Sequence, residues 1–258
     1  MTAVHMPARL VDTELGYAVR AELVKVATLR GLWVTWVIGV VLGPIITLVI
    51  VGTDGLGPDA TVASGAVGGI LIPLLVWGGW ASWLSAGEYS SRTVAAAAAL
   101  VGDRTRLLVA KMLAAALLIG AGAVIATACS AAVVVVAAPP SAVGTGPVPA
   151  LAWVPVVAVA VALVGVSAGF LLRSAPTAVA MVGAALLIPK GAGGLLGRFE
   201  PWIVGASPST VLSEVIGGTE TVEAQQFPLG GGAALAVVIA FAVVVLVIAA
   251  AVVSRRDL

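Results

Sequence analysis

The chain has 258 residues, of which 61% are hydrophobic and only 10% charged, with a formal net charge of +1 and a mean hydropathy of +1.17. Soluble domains carry about a quarter charged residues, so this composition excludes a soluble globular protein and defines an integral membrane protein. One cysteine, Cys129, and one histidine, His5, leave no material for an intrachain disulfide or a Cys/His metal cluster.

Residues 1–30 read as a polar lead followed by an interfacial helix. No apolar core with a small-residue cleavage pattern stands near the start, so no removed signal peptide is expected. Val11, Leu15, Val19, Leu23, Val26 and Leu29 recur at spacings of three and four, with Glu14, Arg20, Glu22 and Lys25 off that face. The pattern predicts an amphipathic helix on the cytoplasmic surface. Residues 31–258 form one transmembrane domain. A first span is expected over 32–52, with Trp33 and Trp36 at its interfacial end, and a second over 66–86, broken by Pro73.

Between two long uncharged runs lies the stretch Gly87–Lys111, GEYSSRTVAAAAALVGDRTRLLVAK. It reads as a cytoplasmic loop in which Val94–Leu100 forms a short helix, Gly102 stops it and Asp103 caps the next span. Arg104 and Arg106 fall in the first turn of that span, where the helix dipole disfavours cations. Anionic headgroups or an acidic partner surface would reward them there.

The third span is expected over 107–138 and the fourth over 150–172, joined by an uncharged Pro/Gly loop outside. A fifth over 177–197 is interrupted at Pro189, which predicts an end or kink there and a broken or re-entrant external segment before the sixth span, 231–253. Glu200, Glu214, Glu220 and Glu223 would give that segment an acidic outer face. With six spans and both termini inside, eleven of the thirteen Lys and Arg are cytoplasmic, Lys190 and Arg198 being the exceptions, while the twelve acids divide evenly. This agrees with the positive-inside rule.

No phosphate-binding G-x-x-x-x-G-K-[ST], no H-E-x-x-H and no G-x-S-x-G occurs, so the chain is not expected to be an enzyme by itself. The six apolar runs hold no Asp, Glu or His at mid-depth, which argues against a self-powered secondary transporter. An external energy source follows as the expectation.

Taken in order, these features resemble the permease subunit of six-span, second-type ATP-binding-cassette exporters over the whole length. The motifs are an interfacial helix (AELVKVATLRG), a Glu after the second span followed by Thr and a basic cluster, a broken external stretch after the fifth span, and a short basic end, SRRDL. The resemblance implies an all-α cell-membrane protein with six transmembrane helices, a cytoplasmic coupling helix between spans two and three, and both termini in the cytoplasm. It implies docking of Glu88, Tyr89, Arg92, Thr93, Asp103, Arg104 and Arg106 on a separate nucleotide-binding ATPase subunit, with the helix carrying Glu22, Lys25 and Arg30 alongside. A second permease subunit, the same or related, would complete the pathway. ATP and Mg would be bound by the ATPase, with no cofactor, metal or nucleic acid on this chain.

Several residues admit two readings. Glu88 is either a coupling carboxylate or a charge snorkelling from a span end; the arginines either couple or only set topology. Trp77 and Trp80 either pack in the core or line a substrate path. Pro44, Pro73 and Pro189 mark gating kinks or static ones. Gly39-x-x-x-Gly43, Gly65-x-x-x-Gly69 and Gly165-x-x-x-Gly169 are faces for close helix contact. A membrane scaffold or immunity-type subunit that sequesters or expels a toxic amphiphile is the alternative function.

Overall fold

The computed structural model describes residues 8–57, 59–90, 104–139, 143–144, 146–216 and 225–255. Its helices are α1 (Ala8–Thr28), α2 (Arg30–Gly52), α3 (Val62–Gly68), α4 (Leu71–Ser90), α5 (Arg104–Ala137), α6 (Trp153–Leu172), α7 (Ala175–Gly191), α8 (Glu200–Ile203), α9 (Pro208–Ile216) and α10 (Gly231–Arg255). Among the described residues there is no strand, only an isolated bridge between Thr61 and Gly144. Among the described residues four segments are long and apolar enough to cross a membrane: α2, α5, Val148–Leu172 and α10. The bent pair α3–α4 makes a fifth when counted as one span. The chain is a multi-pass helical membrane protein.

α6 is the central helix, with 67% of its apolar stretch buried, against 17% for α2 and for α10 at the periphery. Its glycines explain why α4 can lie so close. A Cβ on Gly165 would stand 2.5 Å from the Gly78 carbonyl oxygen, and one on Gly169 would stand 2.0 Å from Ser85 Oγ. Ser85 donates across the seam to the Val166 carbonyl at 3.0 Å. Small residues therefore set the distance between these helices, and an inter-helix hydrogen bond fixes their register.

The second span, expected over 66–86 with a break at Pro73, is broken at another place. α3 and α4 meet at 49°, and the break falls at Gly69–Ile70, before Pro73. Pro73 sits in the first turn of α4, where its missing N–H removes no helical bond. The break has another cause: a Cβ on Gly69 would come within 2.8 Å of the Gly43 carbonyl oxygen, so the chain bends where it passes the backbone of α2. α3 is started separately by a capping box, in which Thr61 Oγ1 accepts from Ser64 N–H and Ser64 Oγ accepts from Thr61 N–H.

The fifth helix is also shorter than the expected span. α7 runs through Pro189 and stops at Gly191 after 17 residues, about 26 Å of helix against about 30 Å of hydrocarbon. The helix thus ends two residues past Pro189, where an end or kink is expected from sequence, and residues 193–199 continue in 3-10 turns. Pro44 lies within an unbroken α2. Beyond α7, α9 packs on α3, α6 and α10, so the segment between the last two long helices folds back onto the bundle. Glu200 and Glu214 are half-buried there; Glu200 accepts from Gln225 Nε2 at 3.2 Å. Glu220 and Glu223, which complete the acidic outer face expected from sequence, lie outside the described residues.

α1 is helical as its pattern requires, and Leu15, Val19, Leu23 and Val26 of the expected apolar face are half-buried or buried, with two departures. Glu22 is buried beside Val26, while Leu29 has left the helix and is 47% exposed. Leu29 alone links α1 to α2, with extended backbone.

Candidate functional site

Three helices converge where the chain leaves α4 and enters α5. α5 has 34 residues, about 51 Å, so it exceeds the hydrocarbon thickness and one end stands clear of it. Lys111 lies seven residues after the first residue of α5, within the helix expected to become the third span. It has no exposed surface at all. A buried ammonium must be fully paired or lose its charge, and Lys111 is fully paired. Its Nζ donates to Glu22 Oε1 at 2.9 Å, to Glu22 Oε2 at 2.8 Å and to Glu88 Oε1 at 2.7 Å, which uses all three of its protons.

Lys25 completes the group. It donates to Glu88 Oε1 and stands 3.9 Å from Glu22 Oε2. Burial alone would push the Lys25 ammonium down, but the hydrogen bond to Glu88 and the charges of Glu22 and Glu88 outweigh it, and its pKa lies above the ordinary lysine value. Among the described residues, two cations and two anions thus meet between α1, the end of α4 and the start of α5. Glu22 and Lys25 can both join because residues three apart share a helix face.

The next residue ties in the fourth strut. Tyr89 meets Phe170 of α6 edge-to-face at 6.2 Å, and the Arg173 guanidinium lies 5.5 Å from the centre of the Tyr89 ring. Arg173 caps α6 in a left-handed conformation, φ 53°. The turn between α6 and α7 is therefore pinned beside the ionic junction.

Of the residues singled out from sequence, the structure brings Glu22, Lys25, Glu88 and Tyr89 together. Arg30 is exposed at the first residue of α2, outside the junction, and Arg106 is half-buried in the first turn of α5. Arg104 begins α5, while Arg92, Thr93, Asp103 and the helix expected over Val94–Leu100 lie outside the described residues. Trp77 and Trp80 are buried at 0% and 1% exposure against α2. The Trp80 indole donates to the Leu32 carbonyl at 2.8 Å, and the Trp77 ring fills the space where Gly39 has no side chain. They pack the α2–α4 interface and line none of the larger cavities.

Sequence reasoning missed Lys111 and Arg173 as site residues. Lys111 carried a usable signal: a lysine one turn inside an apolar helix requires a buried carboxylate partner. Arg173 carried none, because its role depends on the α6–α7 turn meeting the end of α4.

The junction has no nucleophile–base pair, and no group of acids, histidine or cysteine able to hold a metal occurs among the described residues. Its chemistry is that of a rigid electrostatic joint. No protein-family model matches the chain, and no curated protein matches it.

Proposed function

We propose that the chain is the membrane-embedded permease subunit of an ATP-driven exporter in the cell membrane. It acts with a separate nucleotide-binding subunit and a second permease subunit, both termini being cytoplasmic. The observation that supports this reading is the ionic junction at the two roots of residues 91–103. A push delivered to that stretch, or to Arg104 and Arg106 beside it, reaches α1, α4 and α5 together because Lys111 joins all three. Through Tyr89 and Arg173 it also reaches the α6–α7 turn. A joint of this kind transmits displacement and performs no reaction, which suits a subunit whose energy is supplied from outside.

The test is purification of the tagged chain from its native membranes in mild detergent at moderate salt, followed by ATP hydrolysis and vesicle transport assays. Co-purification of an ATPase is the expected result. Replacing Val94–Leu100 by a Gly/Ser segment should then abolish ATP-driven transport while the spans remain inserted. A chain that purifies with no ATPase under these conditions would exclude the exporter reading and favour a scaffold that sequesters amphiphiles.

A further inference from the structure

At the opposite end of α4 from the ionic junction, an apolar cavity of about 440 Å³ opens between α6, α7, the start of α9 and α10. It falls within the ~300–1,000 Å³ of small-ligand sites. Of its fourteen lining residues only Ser207 carries a polar side chain, and that hydroxyl is paired with Thr210 Oγ1 at 2.8 Å. The lining is almost wholly apolar and suits a hydrocarbon occupant. Phe241, Ile203 and Val237 line it and are 55%, 44% and 43% exposed, so it is reached from the apolar outer surface of the bundle.

A second, polar recess of about 100 Å³ adjoins it, lined in part by Lys190, Ser209, Ser213, Gln225 and Ser64. Pro189 faces the cavity and Lys190 the recess; Pro208 faces the cavity and Ser209 the recess. Two consecutive-residue steps therefore form the border between an apolar and a polar compartment. Within the recess, Ser64 is committed to its capping box, Ser213 donates to the Thr210 carbonyl and Gln225 donates to Glu200. Ser209 Oγ, by contrast, is buried with no hydrogen-bond partner among the described residues. A buried hydroxyl left unpaired is destabilising, and such a group needs an explanation. Beside it, Lys190 is exposed and makes no ion pair among the described residues.

We infer that this pair of compartments binds one anionic phospholipid, with an acyl chain in the cavity and the phosphate oxygens held by Lys190 Nζ and Ser209 Oγ. The apolar lining specifies the chain. The adjoining cation and orphaned hydroxyl specify an anionic oxygen acceptor, and a bilayer lipid supplies both parts at one distance from each other. The inference does not depend on the exporter reading, since a lipid held here would serve any bundle with this cavity.

The experiment uses the purified full chain in nanodiscs of equal phosphatidylglycerol and phosphatidylcholine with matched acyl chains, followed by gentle release and mass spectrometry of retained lipid. One retained phosphatidylglycerol per chain is expected, preferred over phosphatidylcholine. Lys190→Gln should reduce that preference by about tenfold, as for loss of a charge-assisted hydrogen bond, while Lys190→Arg keeps most of it. Ala185→Trp, which fills the cavity from α7, should remove the retained lipid altogether; if that variant fails to fold, the Lys190 and Ser209→Ala measurements still decide. Retention of either lipid without preference, a preference unchanged in Lys190→Gln, or a disulfide between two copies of Ala185→Cys with no lipid retained would each overturn the proposal.

Discussion

The two ends of α4 solve opposite problems. At Glu88 the helix ends in a joint where every proton of a buried lysine is matched by a carboxylate oxygen. Near Leu71, about 26 Å away along the same helix, it borders a recess where a buried hydroxyl has no partner. At one end a buried lysine is matched by carboxylates; at the other a buried hydroxyl borders a recess. Polar groups in a low-dielectric bundle are costly unless satisfied, so the matched lysine acts as a joint, while the unpaired Ser209 hydroxyl beside an open recess leaves a place for something to bind. Between them, the glycine seam with α6 keeps the helix in fixed register, so the ends move as parts of one body.

The largest effect should come from breaking the end at Glu88. Lys111→Met leaves Glu22 and Glu88 facing each other with only Lys25, and breaking a buried ion group in this way costs about 3–5 kcal/mol. Thermal unfolding in detergent should show a large loss, most of it recovered in the triple variant Glu22→Gln, Glu88→Gln, Lys111→Met, which removes the uncompensated charge. A Lys111→Met protein as stable as the parent would mean that the lysine is not buried among these carboxylates. The triple variant also sharpens the functional contrast: as a coupling joint, the junction should regain stability in it without regaining ATP-driven transport.

A smaller loss is expected at the seam joining the two ends. Gly169→Ala places a Cβ about 2.0 Å from Ser85 Oγ and 2.7 Å from the Ser82 carbonyl oxygen. The backbone atom cannot rotate away, so overpacking should cost about 1–3 kcal/mol. Gly183→Ala, with no atom near its added Cβ, is the control on α7. Equal stability of the two variants would show that α4 and α6 are not in close contact.

Much of the helical layout was legible because long apolar runs leave few alternatives to membrane helices. The bend at Gly69–Ile70 was not, since it depends on the passing backbone of α2 and not on Pro73, the residue with the evident local signal. The early end of α7 was only partly legible: Pro189 marked the region, but the helix tolerates it and stops at Gly191. At the junction, Glu22, Lys25 and Glu88 drew notice as charges near span ends, yet their common partner was counted as a loop cation. The place of Lys111 in an apolar helix signals that it needs a buried carboxylate partner, but which residues supply it follows from the packing of α1 over α5 and not from any local pattern. The α1 apolar spacing also missed Glu22, which is on the inner face as the counter-charge to that lysine.

Within the junction itself, Lys25 gives the smallest and most specific prediction. Its side chain is 29% exposed, unlike that of Lys111, so water shares in stabilising the charges it faces, and Lys25→Met should cost about 1 kcal/mol or less. Its pKa is raised in the folded chain above the ordinary value of 10.5. A raised lysine contributes stability that is fully present below the unfolded pKa and is lost as pH rises through the folded one. The stability gap between parent and Lys25→Met should therefore stay constant from pH 6 to about 9 and close only above about 10.5. Parallel denaturation curves across that range would measure it. A gap that shrinks between pH 6 and 9 would mean that Lys25 already loses its proton there, and so is not held by the carboxylates of Glu22 and Glu88.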